Sequence, residues 1–239
     1  MRQIVSPHID DAFLSLGGCI SNWLAEGERV KIIYIFTRSS WTNAHPISDE
    51  KYTNSVKAIT ALRKAEESNL QCVTGHEAVY LDWYDIDHRG KKSMLNNLLR
   101  DAFIPVTQNK MIKKIEHQLI ELLDKKATTY FPLAMGKWVH PDHAITNQLG
   151  WSLLKKEFDI VVYEDLPYCA DLNVEEINAK LALRDKFTPV YEAIDLDRKI
   201  ELLKYYQSQM SHEWLQKVRE FGSMPHNETP HERYWETNS

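Results

Sequence analysis

The chain has 239 residues, enough for one large α/β domain, and its 43% hydrophobic and 26% charged content is that of an ordinary globular protein. Lys plus Arg (29) against Asp plus Glu (34) leaves a net charge of −5, so no basic field draws it to nucleic acid. Three scattered cysteines (Cys19, Cys72, Cys169) argue against a disulfide framework, and no apolar run is long enough to span a bilayer.

Taken in chain order, Gln3–Ser6 reads as a short buried strand that begins close behind Met1, leaving no room for a signal peptide. A cytoplasmic protein is therefore expected. Asp11–Glu26 follows as a helix, with Phe13, Leu16, Ile20, Trp23 and Leu24 at helical spacing. Val30–Thr37 is the clearest strand, rich in β-branched and aromatic residues. Ser48–Val73 is predicted helical, Ala78–Trp83 a third strand and Arg89–Gln108 a long loop, a type often functional. Met111–Lys126 is a charged amphipathic helix, and Thr128–Leu133 and Asp159–Glu164 are strands flanking a helix over His143–Lys156. Past residue 170 the pattern loosens to a helix near Val174–Lys186, a strand near Val190–Ile194 and a helix over Asp197–Met210.

Repeated β–α units predict a Rossmann-like, doubly wound, mostly parallel sheet with helices on both faces. In the order 3-2-1-4-5 the first and fourth strands meet at the topological switch point, and ligands bind beyond their carboxyl ends. The reading is one domain, with residues 1–168 as core and 169–239 as a smaller C-terminal extension.

Two motifs fall where that topology puts a site. Ser6-Pro7-His8-Ile9-Asp10-Asp11 ends the first strand, and His140-Pro141-Asp142-His143 follows the fourth. One imidazole and one carboxylate from the first, with one imidazole from the second, make the three-ligand set of a catalytic zinc, and two carboxylates remain as base or orienting groups. Alone, Asp10 or Asp11 would read as a helix cap and His140 and His143 as loop histidines. The pairing at adjacent strand ends favours a metal. His45, His76, His88, His117, His212, His226 and His231 have no comparable setting and read as surface or loop residues. A GxGxxG turn after a strand, a GxSxG elbow, a Walker lysine loop and a CxxC knuckle are all missing from the sequence.

SPHIDDAFLSLGG with HPDHA resembles the LmbE-like, or PIG-L, family of zinc-dependent N-acetylglucosaminyl deacetylases. Weaker elements are Arg63 and Glu66 in an RxxE pattern, YEDLPY (Tyr163–Tyr168) and the YxSQ segment Tyr206–Gln209. The resemblance implies zinc on His8, Asp11 and His143, with Asp10 as general base. It implies His140 as oxyanion donor or acid, and Asp142 beside it tuning a histidine. It also implies sugar contacts from Arg63 and Asp85, with Asp82 and Asp87 competing for the latter role. Ile9 stands where most members have Pro. Trp138 stands where some have Tyr, as a wall on the substrate or on the core; an indole donates a hydrogen bond but cannot exchange a proton as a phenol does. Iron(II) or cobalt(II) suit the same ligands. The expected activity is hydrolysis of the acetamide of a small, sugar-like N-acylated substrate. The alternatives are an amidase on another acylated amine, such as a thiol conjugate, and a non-catalytic metal- or ligand-binding module. No nucleic-acid or membrane partner is expected, and a homo-oligomer is compatible with the pattern.

Overall fold

The computed structural model describes residues 1–42, 55–89, 109–137, 139–182, 187–222 and 229–237. Strands β1 (Arg2–Ser6), β2 (Val30–Tyr34), β3 (Glu77–Tyr80), β4 (Thr128–Pro132) and β5 (Ile160–Tyr163) run parallel, followed in the sheet by β6 (Phe187–Ala193) and β7 (His231–Thr237). The order is β3-β2-β1-β4-β5-β7-β6, with β7 antiparallel to both of its neighbours. The expected 3-2-1-4-5 order is thus present and extended by an antiparallel pair from the C-terminal region.

Why the first strands read as unbroken apolar runs is clear from their surroundings. Ile4 and Ile32 pack into one core, beneath Phe13, Leu16, Ile20 and Trp23 of α1 (Asp11–Ala25). Their neighbours Val5 and Ile33 point to the opposite face, against Ile115 and Leu119 of α3 (Lys110–Leu122) and Ile145 and Leu149 of α4 (Pro141–Leu154). Alternation puts successive side chains on opposite faces, and both faces are covered. β1 pairs in parallel with β2 and β4 (Ile4 opposite Ile32 and Tyr130), so the tips of β1 and β4 lie side by side.

α2 (Val56–Thr74) starts at Ser55, whose side chain accepts from the Ala58 amide, and stops at Gly75 in the left-handed conformation. α1 is broken at Leu16 (φ −123°, ψ 18°), and the amides of Gly18 and Cys19 are taken up by the Glu232 carboxylate at 3.0 and 2.8 Å. A Cβ on Gly18 would stand 2.5 Å from Ile194, so only glycine fits where α1 crosses that side chain.

Several expectations need correction. The helix expected to Lys186 is α5 (Val174–Leu181), and that expected to Met210 is α6 (Leu196–Leu203), after which the chain turns irregularly through the YxSQ segment. A helix α7 (His212–Gly222) and strand β7 were not foreseen. His76 lies in a loop but is buried, with Nε2 2.6 Å from Glu67. The predicted loop Arg89–Gln108 lies, beyond Arg89, outside the described residues. Among the described residues no helix is long and apolar enough to cross a membrane.

Candidate metal centre

β1 ends at Ser6, whose hydroxyl donates to the His8 carbonyl at 2.7 Å and so bends the chain sharply before α1. Asp10 occupies the N-cap position of α1, yet its side chain makes no capping hydrogen bond. The simple capping reading therefore fails for Asp10. Asp11, one residue on, turns the other way: Oδ2 accepts from the His8 amide at 2.9 Å and stands 2.9 Å from His8 Nδ1. On the neighbouring strand end, His140 is the N-cap of α4 and Pro141 its first residue. This arrangement suits proline, which has no amide hydrogen to leave orphaned. Asp142 and His143 thereby fall in the first helical turn and point back toward β1.

The fully buried His143 places Nε2 3.1 Å from Asp11 Oδ2, and that nitrogen satisfies no hydrogen bond. His8 Nδ1, Asp11 Oδ2 and His143 Nε2 thus converge. Ligands about 2.0–2.1 Å from a tetrahedral zinc stand about 3.3 Å from one another, so the donor set, its spacing and the orphaned nitrogen fit such an ion. The other nitrogen of each imidazole rests on a carboxylate. His8 Nε2 is 3.1 Å from Asp142 Oδ2, and His143 Nδ1 is 2.7 Å from Asp165 Oδ2. Carboxylate–histidine pairs of this kind fix ring orientation in metal sites. Burial disfavours charge on both rings, but the Asp11 carboxylate and the carboxylate behind each ring prevail, pushing His8 up to about 9 and His143 up to about 10. The same two rings hold Asp11 well below the usual carboxylate range against the effect of its burial.

Around this triplet the other expected residues separate. Arg63 on α2 donates from Nη2 to Asp10 Oδ1 at 2.6 Å. Burial lifts the Asp10 carboxyl above its usual value despite that guanidinium, and the Asp11 charge adds to the lift. Burial and the nearby His8 lower His140 to about 3, so it is neutral near pH 7. Its Nδ1 accepts from the Asp142 amide at 3.2 Å, which leaves the proton of the neutral ring on Nε2. The fully buried Asp142 holds His8, the Ile86 amide (3.2 Å) and the Arg89 guanidinium. Asp82 is engaged by Lys64 (2.5 Å) and Thr37 (2.6 Å), while Asp85 and Asp87 face the cavity over the site. Trp138 lies outside the described residues.

That cavity, about 590 Å³, is lined at its floor by His8, Asp10, Asp11 and His140 and on its walls by Arg63, Tyr168 and Gln209. Residues 3–154 match the family described as GlcNAc-PI de-N-acetylase, PIG-L. The chain belongs to the PIG-L family. A curated relative, 2'-N-acetylparomamine deacetylase of Niallia circulans, is 26% identical over 224 residues, covering 84% of this chain and 80% of the relative. Among solved structures, a deacetylase of teicoplanin biosynthesis superposes with a TM-score of 0.70 at 16% identity, over 98% of this chain and 97% of that one. The N,N'-diacetylchitobiose deacetylase of Pyrococcus horikoshii does so at 0.60 and 15%, over 98% and 82%. These low identities carry the PIG-L fold alone.

Three features of the site escaped sequence reasoning. Asp165 was quoted within YEDLPY without a role, though it follows the end of β5 as His143 follows β4. Arg89 had no motif around it. Glu66 had been noted without its partner: it accepts from the Ser208 amide and hydroxyl, both at 2.7 Å, tying the RxxE pattern to YxSQ.

Proposed function

We propose that this PIG-L protein is a metal-dependent N-deacetylase, most simply a zinc enzyme, that hydrolyses the acetamide of a small amino-sugar or glycoside. The observation that carries the reading is the convergence of His8 Nδ1, Asp11 Oδ2 and His143 Nε2 on one point of the cavity floor, with Asp10 and His140 beside them. The paromamine, teicoplanin and chitobiose deacetylases resembling this chain lend it support.

His8, Asp11 and His143 would hold the metal, which when bound supplies Lewis-acid polarisation of the amide carbonyl and lowers the pKa of water toward 7. Asp10 accepts the proton of the attacking water. Its raised pKa makes it a stronger base than a solvated carboxylate, and Arg63 fixes its orientation. His140, neutral with its proton on Nε2, donates to the developing oxyanion, an interaction that strengthens only as charge builds. Departure of the amine requires one proton, which protonated Asp10 can return. Asp142 and Asp165 keep the imidazoles aligned and take no part in bond making. Arg63, Asp85 and Trp138 remain the proposed substrate contacts, within a single domain comprising the whole chain.

The test is acetate release from a panel of N-acetylated sugars and other acylated amines, with and without a chelator. Chelator-sensitive release from amino sugars is expected. Release unaffected by removal of all metal would overturn the mechanism, and release from non-sugar amides alone would redirect the substrate.

A further inference from the structure

The cavity walls carry more negative charge than the proposed chemistry uses. On the floor, Asp11 stands against His8 and His143 (2.9 and 3.1 Å), Asp165 is paired with His143 behind it, and a divalent ion bound there would offset the remaining charge. Arg63 pairs with Asp10, Arg89 with Asp142, and at the mouth Lys137 pairs with Asp171 at 3.4 Å. Asp85 and Asp87 remain, and among the described residues neither has an ion-pair partner. Asp85 is 5% exposed, and its Oδ1 is buried without a hydrogen bond. An unpaired buried carboxylate oxygen is costly, and a fold retains one chiefly where something else completes it. Asp87, two residues on, is exposed toward the same space, and burial of its carboxyl together with the Asp85 charge holds it above its usual pKa. Two indoles line the same cavity: Trp41, largely exposed, and Trp214, whose ring already carries Lys217 Nζ 5.4 Å from its centroid, so Trp41 is the open face. A cavity that holds two carboxylates without ion-pair partners and an open indole face favours an organic cation over a neutral hydroxyl.

We propose that the substrate carries a second, cationic amino group besides its acylated nitrogen, and that Asp85 and Asp87 receive it. The inference rests on the deacetylase reading and narrows it, from acetylated sugars in general to partly acetylated, amine-bearing ones. A hydrogen-bonded contact between opposite charges in a partly buried cavity corresponds to about tenfold or more in selectivity.

The probes are two disaccharides of one shape, N-acetylglucosamine linked to glucosamine and N-acetylglucosamine linked to glucose, which exchange an ammonium for a hydroxyl. Zinc-loaded protein should show a kcat/KM at least about tenfold higher for the amine. The ratio should fall toward one in Asp85→Asn and Asp87→Asn, and it should shrink with added salt. Equal handling of the two probes would overturn the proposal. So would variants that slow both probes by the same factor, because Asp85 would then be a plain hydroxyl contact. Calorimetric binding of the same pair provides a second arm. If neither probe releases acetate, the deacetylase reading fails, and the cation site still stands or falls on whether the protein binds the amine selectively. Absence of selective binding overturns it.

Discussion

Asp165 Oδ2 stands 2.7 Å from Nδ1 of His143, and both side chains are fully buried. The contact turns the opposite nitrogen of the ring toward Asp11. Asp165 is itself fixed by the Ala134 amide, which donates to Oδ1 at 2.8 Å, so the end of β5 orients a residue of α4. Asp165→Asn keeps the shape but removes the charge behind the imidazole. Metal affinity should fall about 10–100-fold, the usual effect of losing such an outer carboxylate. Competition with a chromophoric chelator measures it, and unchanged affinity would make Asp165 purely architectural.

Adjacent residues Asp10 and Asp11 should separate cleanly. Asp10→Asn retains the metal, because His8, Asp11 and His143 are untouched, while turnover falls about 10²–10⁴-fold. Asp11→Ala removes a proposed charged ligand, so metal affinity should fall first and excess zinc should partly restore activity. Metal content and single-turnover rates across a zinc titration decide between them. The reverse pattern would exchange the two roles.

How much of this was legible in the sequence depends on the range of the interaction. SPHIDD and HPDH could be read because the residues of each motif are local in sequence, and parallel β–α units fix which strand ends are neighbours. The β5–β7 pairing could not be read, because Val162 meets Trp235 across a long connection whose pattern alternates weakly. Asp165 and Arg89 were hidden for a related reason. Their function is a distance to a histidine or a carboxylate far away in sequence, and a single Asp or Arg is no motif. The YxSQ segment looked helical because Leu202, Leu203 and Tyr206 share a helical period, yet Tyr206 and Ser208 instead turn to bond Glu67 (2.5 Å) and Glu66.

Replacing His140 by Gln or Ala should lower kcat and leave metal content unchanged, since an oxyanion donor acts mainly in the transition state. With a pKa near 3, the ring stays neutral across pH 5–9. The acidic limb of the pH–rate profile should therefore keep its position in His140→Gln while the plateau drops. Loss of metal from either variant would make His140 a ligand.

Metal binding should release protons. In the metal-free protein His8 titrates near 9 and His143 near 10, so both rings are charged at pH 7.5. Coordination needs the neutral ring, and loading should liberate close to two protons per metal ion. Apparent affinity should therefore weaken as pH falls. The linkage for folding has the opposite sign: these raised pKa values stabilise the metal-free protein fully below about 6.5. That stability is lost as pH rises through 9 and 10. Calorimetry in buffers of different ionisation enthalpy counts the protons, and release of none would contradict the assigned ligands.

Glu66 offers a test of how the C-terminal segment is held over the site. Its two carboxylate oxygens take the amide and the hydroxyl of Ser208, and the next residues, Gln209 and Met210, line the cavity. Arg63, three residues earlier on α2, holds Asp10, so one helix fixes both the proposed base and a wall of the substrate space. Glu66→Gln can still satisfy both groups, because its carbonyl accepts from the amide and its NH₂ donates to the Ser208 hydroxyl, which can rotate to receive it. Glu66→Ala cannot, and a buried amide left without an acceptor costs about 1–3 kcal/mol. For a chain of this size that corresponds to a Tm lower by about 2–4 °C per kcal/mol. KM should rise in Glu66→Ala more than kcat falls, because the wall loosens while the proposed metal ligands stay in place, and Glu66→Gln should recover most of both. Equal losses in Gln and Ala would show that the charge of Glu66, acting on Arg63, matters more than its grip on Ser208.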